Sequence, residues 1–150
     1  MKKISRVFLL IAALAALTVA AAVLRLSVRE NVPEGSIQIE TSGEVINVLF
    51  SEQQLTNVKG TIVNGKGEEK IINAQGILLA DFLNAYQISG FDEVVVEADD
   101  AYSAAVTTEE VGTPEKVYLI VQEDSRVNMV VFGDPNSKRS VSNVIRLKLV

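Results

Sequence analysis

Short segments of alternating apolar and polar residues run through the chain from its second quarter onward, and turn residues separate them. This period of two predicts β-strands with one buried face, and about eight such segments occur. Four of them form two predicted β-hairpins. In the first, Val58–Asn64 and Glu69–Ala74 flank a Gly-Lys-Gly turn, and in the second, Val117–Val121 and Val127–Phe132 flank a polar tip. The last predicted strand extends over about Val141–Val150.

An apolar stripe at steps of three and four residues predicts one helix, over about Leu78–Gln87. The stripe consists of Leu79, Phe82, Leu83 and Tyr86. Two shorter signals mark helix starts. Ser51–Gln54 has the spacing of a capping box and predicts a single turn, and Thr107–Glu110 predicts a second start. Many strands with one main helix indicate an α+β domain that is mostly a mixed sheet.

The N-terminus has a different pattern, an uninterrupted apolar run from Val7 to Leu24 with basic residues on both sides. The run would be about 27 Å long as a helix, close to the roughly 30 Å of hydrocarbon in a bilayer. It is either an uncleaved transmembrane signal anchor or a signal peptide cut near Ala20–Ala22. Both interpretations place the remaining chain outside the cytoplasm, anchored to the membrane or secreted. We therefore divide the chain into a signal segment (1–29), a spacer (30–35) and a single domain (36–150).

Charge and composition restrict the function. After residue 29 the chain has nine basic and 19 acidic residues, a net charge of −10, which disfavours binding to nucleic acid. The chain contains no cysteine and no histidine. Thiolate nucleophiles, imidazole bases, Cys/His zinc sites and Ser-His-Asp triads are therefore excluded.

Two polar stretches are the candidate binding sites. In the first, Phe91–Glu110, a run of valines is interrupted by Asp99-Asp100, and Tyr102-Ser103 follows. A calcium site needs six or more oxygen ligands, and this corner offers few in sequence. The paired aspartates are therefore more typical of a solvated turn. The second stretch, 133–140, is the most polar loop and offers donors for an anionic ligand. An exposed charged loop explains its composition equally well. The candidate ligand-binding residues are Asp100, Tyr102, Ser103, Asn136, Lys138, Arg139 and Asn143.

Three motifs resemble a known family. They are Gly-Ile-Leu-Leu-Ala-Asp-Phe-Leu (76–83), Val-Val-Val-Glu-Ala-Asp-Asp-Ala-Tyr-Ser (94–103) and Val-Val-Phe-Gly-Asp-Pro-Asn-Ser-Lys-Arg-Ser-Val-Ser-Asn-Val (130–144). With their order along the chain, they resemble the sulfite-oxidase-type molybdopterin-binding domain, in the short form of exported bacterial proteins. The resemblance covers about Val45–Leu149. It implies a mixed α+β fold and, in active members, a pterin-bound molybdenum held by a cysteine.

The chain departs from the family pattern at residues that the family uses for chemistry rather than for its fold. The ligating cysteine is absent, as is the histidine and arginine pattern that holds the pterin phosphate in active members. The family's Asp-Gly-Tyr corner is Asp100-Ala101-Tyr102 here, and a glycine-rich segment is reduced to the tip Glu123–Arg126. We therefore expect a non-catalytic envelope module that binds a small, anionic ligand or a partner protein. The alternative is a molybdopterin-dependent oxidoreductase or a subunit of one, with molybdopterin as its cofactor.

Overall fold

The structure, a computed structural model, describes residues 35–150. This part of the chain forms nine strands, two short helices and one 3₁₀ turn. The strands are β1 (Ser36–Glu40), β2 (Val45–Leu49), β3 (Thr56–Val63), β4 (Glu69–Leu78), β5 (Glu93–Ala98), β6 (Ser103–Thr107), β7 (Val117–Val121), β8 (Val127–Val131) and β9 (Val144–Leu149). The helices are α1 (Leu79–Ala85) and α2 (Thr108–Gly112), and the 3₁₀ turn is Phe50–Glu52.

The strands form two sheets. The five-stranded sheet has the order β2-β1-β9-β5-β6, and the four-stranded sheet has the order β3-β4-β7-β8. All neighbours are antiparallel except β1 and β9, which run parallel, with Ile39 opposite Leu147. A register shift in the β5–β9 pair lies between Glu97 and Ala98, just before the strand ends.

One contiguous core joins both sheets and α1. Its fully buried side chains include Ile37 and Leu147 from the five-stranded sheet, Leu119 and Met129 from the four-stranded sheet, and Phe82 from α1. Burying a side chain of this size stabilises the fold by roughly 1.5–3 kcal/mol. The apolar stripe of α1 therefore acts as predicted, since it faces this core while the polar side of the helix is exposed.

A second, smaller cluster contains one buried residue from each strand of the four-stranded sheet: Val58, Ile72, Ile120 and Val130. Two glycines of this sheet, which have no Cβ, allow other residues of the sheet to lie close to their backbone. A Cβ at Gly60 would collide with the Phe132 ring, and a Cβ at Gly76 would lie 2.6 Å from the carbonyl oxygen of Leu119. Because β3 and β8 are the outer strands, the contact between Gly60 and Phe132 shows that the sheet is strongly curled.

Most of the predicted elements are confirmed. Both hairpins, the main helix and the helix start at Thr107 are present, so the mostly β, mixed-sheet architecture is shown. The helix start has a capping box between Thr107 and Glu110. The capping box predicted at Ser51 is wrong, because the turn there begins at Phe50 and has no side-chain cap. The main helix begins at Leu79, one residue later than predicted, because β4 continues to Leu78.

The predicted signal segment and almost all of the spacer lie outside the described residues. Within residues 35–150, no helix is long and apolar enough to cross a membrane.

The close approach at Gly76 leads to a stability prediction. Gly76→Ala should lower the free energy of unfolding by about 1–3 kcal/mol, because the new methyl group would overlap backbone that cannot rotate away. Gly43→Ala is the matched control: nothing lies within 4 Å of the Cβ position there. Its effect should stay within about 0.5 kcal/mol. Urea unfolding of the full chain in detergent micelles measures both, and equal midpoints would contradict the close-packing argument.

Candidate functional site

The corner after β5 is the turn of a β-hairpin. Ala98 N–H donates to the Tyr102 carbonyl at 2.8 Å, and Ala101 N–H donates to the Ala98 carbonyl at 3.1 Å. The Asp100 carboxylate accepts a hydrogen bond from Tyr102 N–H at 3.0 Å, as short polar side chains do in turns. Ala101 adopts a positive φ of 69°, where many such turns have glycine. The chain therefore reverses direction here, and one oxygen of Asp100 is used within the turn.

This turn contacts the polar loop that precedes β9. The Tyr102 hydroxyl donates to the Lys138 carbonyl, and Asp99 N–H donates to the Asn143 carbonyl at 3.2 Å. Asn143 N–H in turn donates to the buried Asn128 side chain at 2.8 Å. We call residues 99–103 and 134–143 together the corner–loop rim. The two stretches that were selected separately from the sequence lie side by side.

The loop half of the rim is ordered by its own polar groups. Lys138 N–H donates to the Asn136 side chain at 3.2 Å, and Ser140 N–H donates to the Ser137 carbonyl at 3.0 Å. The Ser137 hydroxyl donates to the carbonyl of Val63, at the end of β3. The predicted site residue Asn136 therefore positions the backbone of Lys138.

Arg139 lies between two carboxylates. It makes a bidentate contact with Asp134, with Nε to Oδ2 at 2.9 Å and Nη2 to Oδ1 at 2.5 Å. Its Nη1 also donates to Oε2 of Glu110 at 2.7 Å, and Oε1 of Glu110 pairs with Lys116 Nζ at 3.0 Å. Two positive and two negative charges thus compensate each other. Such bidentate arginine–carboxylate contacts are among the stronger hydrogen bonds in proteins.

The ion pairs change the acidity of both central groups. Hydrogen bonding from Arg139 has the largest effect on the pKa of Glu110 and lowers it. Burial raises this pKa, whereas hydrogen bonds from Lys116 and from the Thr107 N–H lower it further. The pKa of Glu110 falls from 4.5 to about 2. Asp134 and then Glu110 raise the pKa of Arg139 above its ordinary value. Glu110 also completes the capping box of α2, so one carboxylate joins the helix start to the rim.

The sequence did not predict a charge cluster of Glu110, Asp134 and Lys116. Glu110 was expected only in a helix start, and Asp134 only in a polar loop. The contact between Arg139 and Glu110 joins residues 29 positions apart. No local spacing indicates such a pair.

The predicted site residues differ in how far they are exposed to solvent. Tyr102 is 47% exposed although its hydroxyl is bonded, and Asp100, Ser103 and Lys138 are also exposed. Two grooves, of about 690 and 450 Å³, are lined by residues outside the rim. Among the described residues, no group of three or more acidic side chains could hold a metal ion.

No family model matches the chain, and no curated protein matches it. The chemistry available at the corner–loop rim is hydrogen bonding and contact with an aromatic ring, together with one exposed cation.

Loss of the Arg139 cation should destabilise the fold. Arg139→Met leaves Asp134, whose side chain is only 8% exposed, and Glu110 without their main partner. We expect a loss of about 1–3 kcal/mol in the free energy of unfolding. Arg126→Met, which breaks an exposed pair with Asp124, should cost less than about 1 kcal/mol. Chemical denaturation of the full chain measures both variants, and equal losses would refute a structural role for Arg139.

The lowered pKa of Glu110 gives a pH prediction. Its folded pKa of about 2 lies below the ordinary 4.5, so its contribution is complete above about pH 4.5 and is lost as the pH falls towards 2. Glu110→Gln should therefore make the free energy of unfolding depend less steeply on pH across this interval. Glu109→Gln leaves Glu110 and its partners intact and should keep the wild-type slope. Acid titration followed by circular dichroism distinguishes the two outcomes.

Proposed function

We propose that the protein is a non-catalytic module held outside the cytoplasm by its N-terminal segment, and that it binds a partner protein or a small ligand through the corner–loop rim. The observation that carries this proposal is the contact between the two halves of the rim, made by the Tyr102 hydroxyl and by Asp99 N–H. Exposed polar and aromatic groups from separate parts of the chain thereby share one ordered surface. Aromatic residues with fixed orientation are favoured in protein interfaces.

The charge distribution favours a partner protein over a small anion. Arg139, the strongest donor expected for an anion, already contacts two carboxylates. Lys138 remains exposed, but Asp99 and Asp100 are exposed on the facing turn. A surface with both signs of charge around an exposed tyrosine suits a protein surface of complementary charge.

The apolar run Val7–Leu24 supports an N-terminal transmembrane helix. The family resemblance supports a finer description of the fold, the sulfite-oxidase molybdopterin-binding type. It does not support cofactor chemistry. The chain has no cysteine to ligate molybdenum, and Arg139 is paired with Asp134 and Glu110, so it does not present an uncompensated charge to a pterin phosphate. The residues of this rim therefore do not fit molybdopterin. Function must be argued from the site, since a fold can be kept while chemistry is lost.

The oxidoreductase alternative makes a different prediction about the purified protein. If the module is non-catalytic, full-length protein should contain far less than one molybdenum per chain and should release no fluorescent pterin after acid oxidation. Elemental analysis and fluorescence of the same preparation measure both quantities. Stoichiometric molybdenum or pterin would overturn the non-catalytic proposal and favour the alternative.

Site-specific photocrosslinking tests the binding surface directly. A benzoylphenylalanine at Ser103 stands on the exposed rim and leaves the Tyr102–Lys138 contact in place. In intact cells of the native host, it should give a discrete adduct that Lys138→Glu abolishes. The matched control is the same probe at Lys66, an exposed turn position outside the rim. No adduct at Ser103, or the same adduct at Lys66, would contradict the proposed surface.

A further inference from the structure

Strand β4 has a neighbour on both sides over only part of its length. Its pairing with β3 extends from Glu69 to Gly76, whereas its pairing with β7 includes only Gln75 to Leu78. Strand β7 leaves the sheet because the chain turns at Gln122, where its N–H bonds the Arg126 carbonyl at 2.9 Å. Among residues 35–150, no strand pairs with the first half of β4 on the side of β7, so this half presents an open edge there.

Backbone alternation identifies the groups at this edge. The β3–β4 hairpin closes with a hydrogen bond from Asn64 N–H to the Glu68 carbonyl at 2.9 Å, which places even-numbered residues of β4 in hydrogen-bonded pairs with β3. Odd-numbered residues point their N–H and carbonyl groups the other way. Gln75 accordingly pairs with Val121, the last residue of β7. Continuing along β4, Asn73, Ile71 and Glu69 direct their backbone groups to the open edge.

A groove of about 690 Å³ lies beside this edge, between Lys70–Gln75 and the segment from Ile120 to the tip of the β7–β8 hairpin. Ile71 is 79% exposed, the highest fraction among the exposed large apolar side chains. The tip carries Glu123 and Asp124, of which Asp124 pairs with Arg126. The groove thus combines an open strand edge with an exposed apolar side chain, and of its charged lining residues Lys70 is positive while Glu123 and Asp124 are negative.

We infer that the open edge of β4 binds an extended segment of a partner protein, which adds as an antiparallel strand in line with β7. Antiparallel addition matches the other pairs of this sheet, and main-chain hydrogen bonds supply much of the affinity in this mode of recognition. Such a segment would run in the same direction as β7, so its N-terminal end lies beside the acidic tip. A lysine or arginine at that end complements Glu123, and apolar residues farther along contact Ile71. This surface is separate from the corner–loop rim.

The charges argue against a second copy of the chain as the occupant. Two-fold antiparallel pairing centred on Ile71 would place Glu69 of the second copy opposite Asn73. That position is where β7 would have continued, next to Glu123 and Asp124. Glu69 of one copy would then lie beside Glu123 of the other, and like charges at close range oppose pairing. A basic segment from another protein avoids this repulsion.

The test uses full-length protein in nanodiscs and a display library of random eight-residue segments. Recovered peptides should carry a basic residue near the N-terminus and β-branched residues after it. On binding, the amide hydrogens of Ile71 and Asn73 should exchange at least ten-fold more slowly, because they become donors to the added strand. Recovery of no peptide, or binding without this protection, would overturn the proposal.

Matched variants separate the two contributions to binding. Ile71→Pro removes the edge N–H and should abolish binding, whereas Ile71→Thr keeps this N–H and should weaken binding only a few-fold. The proline variant should still fold, because proline is tolerated where the N–H of an edge strand faces solvent. Glu123→Lys should remove the preference for basic peptides, and Glu44→Lys, an exposed control in the other sheet, should retain it. Equal binding by Ile71→Pro and Ile71→Thr would exclude strand addition. Protection of Ile71 that rises with protein concentration, without peptide, would instead identify a second copy as the occupant.

Discussion

The insertion of β9 between β1 and β5 is the contact on which the rest of the structure depends. Strand β9 pairs parallel with the first strand of the domain and antiparallel with β5, and Leu147 at its centre is fully buried. Without β9, the β1–β2 and β5–β6 hairpins would have no sheet in common. The same pairing positions the rim: Asn143 immediately precedes β9, and Asp99 immediately follows β5. Their backbone hydrogen bond extends the ladder across the register shift.

The ion pairs around Arg139 make the loop half of the rim a defined surface. Asp134 and Glu110 hold the guanidinium from two different segments, and Glu110 is itself fixed by the start of α2. An arginine with both partners in place loses little further side-chain freedom when a ligand arrives. Surfaces that are ordered before binding pay a smaller entropic cost on association. In the proposed binding surface, the role of Arg139 is therefore to position its neighbours rather than to contact the ligand.

The sequence predicts local structure well because turns and periodicity are local. The Gly-Lys-Gly hairpin, the stripe from Leu79 to Tyr86 and the helix start at Thr107 are all present. The division into two sheets and the parallel β1–β9 pair depend on contacts over about a hundred residues, which no local pattern encodes. The same reason applies to the site. Spacing identified Tyr102 and Lys138 as polar candidates, but only tertiary structure shows that they touch and that Arg139 is already paired.

The open edge of β4 results from the curl of the four-stranded sheet. Ile72 belongs to the apolar cluster inside the curl, whereas Ile71, one residue earlier, points to the opposite face and is exposed. Because β7 turns back after Val121, nothing in the described sheet covers the backbone beyond Gln75. Exposed strand edges promote aggregation unless charge or proline blunts them, and Lys70 with its acidic neighbours supplies that charge here. An edge that charge protects from pairing with its own copies would still accept the basic segment proposed above.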